Sequence, residues 1–302
     1  MPMTLGNFPA LVDKTIAAVL FNQFMLEPSM VPLLLDMLTS DSAEEKFSEV
    51  GGLGDFEKYA DSGQVQSLTK DSPFEGYTKT FTHDEFTKSI DIQRKLIDDQ
   101  KLYQIADIAK GTGIAAARTR EKDAAKVFNN AFTTTLVADG LSLCNNAHTS
   151  KAVSATFDNR RTEVLNGINL SIVKQVMLRD FRDDRNERYN VQPNTLLVPL
   201  ELDETAYEIV KSSGQVNTAN NNANVHQGRY TQIVWNYLTS ATSWFLMDMS
   251  QWKRSAKWFD RVPLEVVDSG THNNLFRTLS AYMRYSVGVR DWRGIMGSDG
   301  TV

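Results

Sequence analysis

Cysteine is nearly absent from this chain of 302 residues, and the single Cys144 rules out an internal disulfide framework and suits a reducing compartment. A basic excess is missing as well. Lysine and arginine number 32 against 37 acids, for a net charge of −5 and a pI near 5.5, where a dedicated nucleic-acid-binding domain would carry the opposite balance. Long apolar runs are lacking too. The most apolar stretch, 8–38, has no basic segment before it and is interrupted by Asn22, Gln23, Glu27, Pro28 and Pro32. It therefore reads as an amphipathic helix over 8–26 and a proline-bounded segment, not as a signal peptide or membrane span. No Gly-x-Ser-x-Gly elbow occurs. Cys144 and His148 alone cannot close a zinc site, and His83, His226 and His272 read as surface or locally hydrogen-bonded side chains. No catalytic residue, metal ligand or cofactor is predicted.

What is present is a long helical pattern. Over 92–132, Ile92, Leu96, Tyr103, Ile114, Ala117, Ala124, Phe128 and Ala131 recur at helical spacing, without proline. A helix of that length spans roughly 60 Å, against a diameter of about 50 Å for a compact chain of this size. That implies an extended plate whose edges another molecule covers. Gly111-Thr112-Gly113-Ile114-Ala115-Ala116 inside it fits G-x-G-x-x-A, but no buried strand precedes it as a dinucleotide site requires. Gly111 and Gly113 are instead candidate hinge residues.

From 40 to 91 the chain is polar and glycine-rich, and two strands are expected, about 46–60 and 76–88, joined at a loose tip. A two-stranded ribbon is marginal alone in water, and this one has little apolar surface for its own core, so it is expected to order on a neighbouring molecule. Phe56, Tyr59, Phe74 and Tyr77 are its candidate intersubunit contacts. Downstream, Asn166 opens a second helix with Ile168, Ile172, Val176 and Phe181 as its apolar stripe. A buried strand at 193–199, a helix at 202–212, an Asn-rich tip at 215–226, a strand pair at 231–238 and 243–249, and strands at 263–268 and 277–289 follow. Irregular alternation of this kind favours an α+β fold.

The run 179–188 mixes both charges and reads as a solvated helix end, with Arg182 and Arg185 as further candidate intersubunit contacts. Trp252 and Trp258 stand among Lys253, Arg254, Lys257 and Arg261, the best nucleic-acid patch in the sequence. Two alternative functions follow from these features, a nucleotide-dependent oxidoreductase on 111–116 and a nucleic-acid-binding module on 252–261.

Several stretches resemble, in order, the major capsid (major head) protein of tailed bacteriophages with the Hong Kong 97-like fold, within it the Mu-like major head subunit group. They are Phe86-Thr87-Lys88-Ser89-Ile90-Asp91-Ile92-Gln93-Arg94-Lys95-Leu96-Ile97-Asp98-Asp99, where the loop would enter the spine helix, Gln192-Pro193-Asn194-Thr195-Leu196-Leu197-Val198-Pro199 followed by Leu202-Asp203-Glu204-Thr205-Ala206, Trp244-Phe245-Leu246-Met247-Asp248 and Arg284-Tyr285-Ser286-Val287-Gly288-Val289-Arg290-Asp291-Trp292-Arg293-Gly294. The resemblance covers about 45–295 and implies an N-terminal arm (1–45), an extended loop (46–91), a peripheral domain with the spine helix (92–165 and 263–302) and an axial domain (166–262). It further implies a structural, non-enzymatic subunit that assembles with itself into pentamers and hexamers of an icosahedral head enclosing double-stranded DNA without sequence-specific contacts. Scaffolding and portal proteins would be its partners, no membrane would be involved, and assembly in the host cytoplasm would end in the virion capsid. Only about 45 residues precede the loop, so scaffolding is expected to be a separate protein. Lys58 and Lys70 lie in the ribbon, but no asparagine partner for an isopeptide cross-link is identifiable.

Overall fold

The computed structural model describes residues 9–51, 53–56, 70, 72–93, 95–96, 99, 101–214, 222–268 and 276–301. In chain order its elements begin with α1 (Pro9–Leu26), α2 (Val31–Leu34), β1 (Asp36–Thr39), β2 (Glu44–Val50), β3 (Glu75–Thr82), β4 (Asp84–Gln93) and the long α3 (Leu102–Asn129). The short strands β5 (His148–Thr149), β6 (Thr156–Phe157) and β7 (Arg160–Arg161) follow, then α4 (Gly167–Asp180), β8 (Thr195–Val198), a 3-10 turn (Leu200–Leu202) and α5 (Asp203–Lys211). The chain closes with β9 (Thr231–Val234), β10 (Trp244–Met247), α6 (Met249–Ser255), β11 (Ala256–Asp268), β12 (Phe276–Val289) and β13 (Ile295–Ser298). Among the described residues no helix is long and apolar enough to cross a membrane.

Two compact units emerge. The first gathers Met1–Glu45, Phe81–Lys126 and Lys257–Val287; the second gathers Lys46–Thr80, Val127–Ala256 and Gly288–Val302.

In the first unit a four-stranded sheet runs β1-β11-β12-β4. β12 and β4 are antiparallel over ten paired positions, from Phe276↔Gln93 to Tyr285↔Asp84. Tyr285 is its centre: Trp258 and Phe86 each stack on it at 4.4 Å between ring centroids. From α3, Asp123 accepts the Tyr285 hydroxyl at 2.7 Å, and Arg120 lies over Trp258 while pairing with Asp260 at 2.9 Å. Burial and the Asp123 carboxylate push the Tyr285 hydroxyl well above the ordinary tyrosine range, so it stays a donor. α1 crosses α3 at Gly113, where an added Cβ would stand 2.5 Å from the Leu20 carbonyl oxygen.

The second unit is built on a five-stranded sheet, β7-β13-β10-β8-β9. The apolar runs of β8, β10 and β13 are buried along their whole length, as expected for strands covered on both faces. Phe128 packs beside Trp235, Phe245 and Trp252, with centroids 5.4–5.9 Å away. Asn166 caps α4 by accepting the Asn169 amide, and Asp248 caps α6 by accepting those of Ser250 and Gln251. Each cap is worth about 1 kcal/mol.

Several sequence expectations change. The helix expected over 92–132 is the 28-residue α3, because Ile92 belongs to β4 and pairs with Arg277. Thr87, Ile90 and Ile92 are β-branched and favour the strand, and the spacing of Ile92 and Leu96 matched a helix by coincidence. At 1.5 Å per residue α3 is about 42 Å long, so helix length alone no longer demands a plate. The expected second ribbon strand over 76–88 is two strands divided at His83, which is buried and hydrogen-bonded to Ser40 and Ser286. β9 and β10 do not pair with each other, because β8 lies between them. The apolar stripe expected on α4 holds only in part: Phe181 at its end is buried and Val176 half-buried, but Ile168 and Ile172 face outward and Leu170, Val173 and Met177 fill the buried side.

Candidate assembly surfaces

β2 and β3 form the two-stranded ribbon. Its base is fitted closely. A Cβ on Gly51 would fall inside the Phe74 ring, and one on Gly76 would stand 2.8 Å from Glu49 Cβ, so both glycines let the two arms approach. Lys151 Nζ donates to the Gly76 carbonyl at 2.6 Å and lies over the Tyr77 ring. Tyr77 Oη and Thr149 Oγ1 share a hydrogen bond at 2.9 Å, and Lys79 Nζ reaches the Leu136 carbonyl at 2.8 Å.

The Glu49 side chain enters a charged cluster around Arg293. Arg293 Nη1 lies 2.9 Å from Glu49 Oε1 and 3.2 Å from Asp291 Oδ1, Nη2 is 2.7 Å from Asp184 Oδ1, and Nε donates to the Arg182 carbonyl at 2.8 Å. Local turns aim these groups. Asp183 accepts the amides of Arg185 and Glu187 in a turn whose Asn186 has φ 68°, and this turn presents Asp184. Gly294, at φ 135°, follows the guanidinium residue where a side chain would also press on the Trp252 amide. Arg293 is 5% exposed, so its charge is tolerable only because three carboxylates surround it. They hold its pKa up despite burial. The carboxylates are too many for one arginine: burial, then repulsion from Asp291, pushes Glu49 up to about 7 against the pull of Arg293.

The expected contact residues separate. Phe56 is fully exposed, Phe74 covers Gly51, Tyr77 is half-buried against Lys151, and Tyr59 lies outside the described residues. Arg182 supports the cluster through its carbonyl and Arg185 is half-buried, so the run 179–188 is only in part a solvated helix end: Asp184 is buried. Val50, Leu53, Ile168, Ile172, Leu200 and Tyr207 join Phe56 as exposed large apolar side chains of this unit. Gly111 has open space around its Cα, and α3 runs unbroken through both glycines.

The alternative chemistries find no geometry. Residues 111–116 lie in mid-helix, with no helix N-terminus to hold a phosphate. Trp252 and Trp258 are buried and offer no ring face to a base. Cys144 is buried against Gly297 with its thiol pushed up by desolvation. His148, also buried, is held by Asp139 at 2.7 Å and by Asn159 at 3.1 Å, and it stacks on Trp292. Both are structural. His226 is likewise buried, bonded to Ser171 and the Gly167 carbonyl, while 215–221 of the Asn-rich stretch lie outside the described residues.

The family model described as phage capsid protein matches residues 76–296. The chain belongs to the phage capsid protein family. Its fold is that of solved capsids. The capsid of cyanophage P-SCSP1u is similar at a TM-score of 0.55 and 12% identity, over 88% of this chain and 86% of that one. The bacteriophage JBD30 capsid is similar at 0.55 and 13%, over 70% and 92%. A virus-like particle from Pyrococcus furiosus is similar at 0.52 and 9%, over 94% and 98%. No curated protein matches the sequence. A capsid protein is a structural, non-enzymatic component that assembles with copies of itself, and its place is the virion capsid. The charged cluster at the ribbon base escaped sequence reasoning because Glu49 and Arg293 are 244 residues apart. Its only signal was the closing Asp291-Trp292-Arg293-Gly294 stretch.

Proposed function

We propose that this capsid protein forms pentamers and hexamers that close into an icosahedral head around double-stranded DNA. Assembly takes place in the host cytoplasm, with scaffolding and portal proteins as partners. The observation that carries this reading is the family match over 76–296, supported by a fold shared with solved capsids at low identity. The net charge of −5 agrees with a container that does not grip its contents. In this reading the ribbon spans a neighbouring subunit through Val50, Leu53, Phe56 and Tyr59, the described three being exposed, while its base stays fastened to its own subunit at Glu49 and Tyr77. The long helix is the spine of a peripheral domain, with Gly111 and Gly113 as its hinge candidates, and α4, α5 and the five-stranded sheet belong to the axial domain.

Removing 54–73 and bridging the ends tests it, because that deletion spares the anchored base. The shortened subunit is expected to remain folded and soluble by circular dichroism and to form no closed shell in negative-stain images. Normal shells from the shortened chain would refute the ribbon's role. Intact particles of the full chain without nucleic acid under packaging conditions would refute the DNA-enclosing part alone.

A further inference from the structure

α4 is apolar on two sides. At 3.6 residues per turn, its buried Leu170, Val173 and Met177 fall on one side, and Ile168 and Ile172 fall roughly opposite. Those two are 66% and 44% exposed, and Val164, two residues before the Asn166 cap, is 45% exposed. Large apolar side chains grouped on one exposed face mark an interaction surface, so the outer side awaits a partner. The segment Leu200–Lys211 has the same construction. Ala206, Ile209 and Val210 are buried, while Leu200 and Tyr207 are 63% and 60% exposed. Beside them stand the exposed carboxylates of Glu201, Glu204 and Glu208, none with an ionic partner among the described residues. Near α4 the charge is opposite: Lys174 and Arg229 oppose one another's charge and have no acidic partner among the described residues, whereas Arg179 at the helix end is already paired with Asp180 at 2.7 Å.

We propose that the outer face of α4 in one copy of this chain packs on the Leu200–Lys211 face of the next copy, head to tail, repeating around a ring. The inference rests on the shell reading, which makes a second copy the occupant. Two dissimilar patches on one chain make a heterologous contact, the kind that closes rings. Ile168 and Ile172 meet Leu200 and Tyr207, and the carboxylates of Glu204 and Glu208 meet the cations beside α4.

The test is cross-linking in assembled particles. Cys144 is buried and does not compete with introduced thiols. Particles of the double variant Ile172→Cys with Tyr207→Cys, treated with a short bis-maleimide, are expected to give a ladder of linked subunits up to the ring size. Each single variant alone should give none, and particles co-assembled from the two singles should give dimers. Self-linking of a single variant, or particles of the double variant without a ladder, would overturn the contact and leave the shell reading standing. An unmodified chain that forms neither rings nor particles when its scaffolding protein is supplied would sink the shell reading itself. As a second measurement, Ile168→Asp, exposed and so expected to melt with the parent chain, should cut the yield of rings and shells at least about tenfold, the cost of burying an unpaired charge. Undiminished assembly of that variant would also overturn the contact.

Discussion

The ribbon base and the five-stranded sheet belong to the same unit and are held by different physics. The sheet is fastened by burial: Phe128, Trp235, Phe245 and Trp252 interlock around its central strands β8 and β10, which have no exposed position. The ribbon is fastened by charge and hydrogen bonds, through Glu49 on Arg293, Lys151 on Gly76, Tyr77 on Thr149 and Lys79 on Leu136. Packing gives a fixed core whose strength barely depends on pH. A cluster of three carboxylates on one buried guanidinium gives a fastening that a single proton adjusts, as suits an element that stays tied to its own subunit while its outer part engages another.

The largest effect expected along this divide is that of Arg293→Ala. It strands Glu49, Asp184 and Asp291 together, at a cost of about 3–5 kcal/mol, read by chemical denaturation and by faster amide exchange in β2. A loss below about 1 kcal/mol would erase the contrast with the sheet. Glu49 comes next. Its pKa in the fold is raised from 4.5 to about 7, so the folded state binds the proton more tightly than the unfolded chain. The stability that Glu49 contributes is therefore full at acid pH, falls as pH rises through that window at no more than about 1.4 kcal/mol per pH unit, and is level above it. Glu49→Gln should flatten this slope in urea titrations between pH 5 and pH 8, while Phe128→Leu, at the end of α3 in the packing against the sheet, should leave it unchanged. Gly113→Ala sharpens the packing side: a methyl against the Leu20 carbonyl is expected to cost about 1–3 kcal/mol. Gly111→Ala, with open space around it, should stabilise α3 by about 0.5–1 kcal/mol. Equal effects at the two glycines would show that helix propensity, not the crossing with α1, governs them.

Much of this was legible in the sequence, and the exceptions have physical causes. The Asn166 helix start, the buried strand at 195–198 and the α5 helix followed from caps, prolines and apolar runs. The order of family-like stretches identified the fold where no single motif was specific. Periodicity located α4 and its buried Phe181 but put Ile168 and Ile172 on the inner side, because a helix with apolar residues on both faces has two stripes and sequence does not say which one its own core takes. The long helix was overextended into β4, because Ile92 of that strand stands at helical spacing from Leu96 beyond it. The Arg293 cluster joins β2, the 183–187 turn and the segment after β12, and no local pattern encodes such a meeting.

The central claim is self-assembly into a closed shell. The most direct measurement is size-exclusion chromatography of the purified full-length chain with negative-stain microscopy of its fractions. Rings and closed, uniform particles are the expected result. A monodisperse small oligomer that forms neither, and binds a dinucleotide in titration, would contradict it.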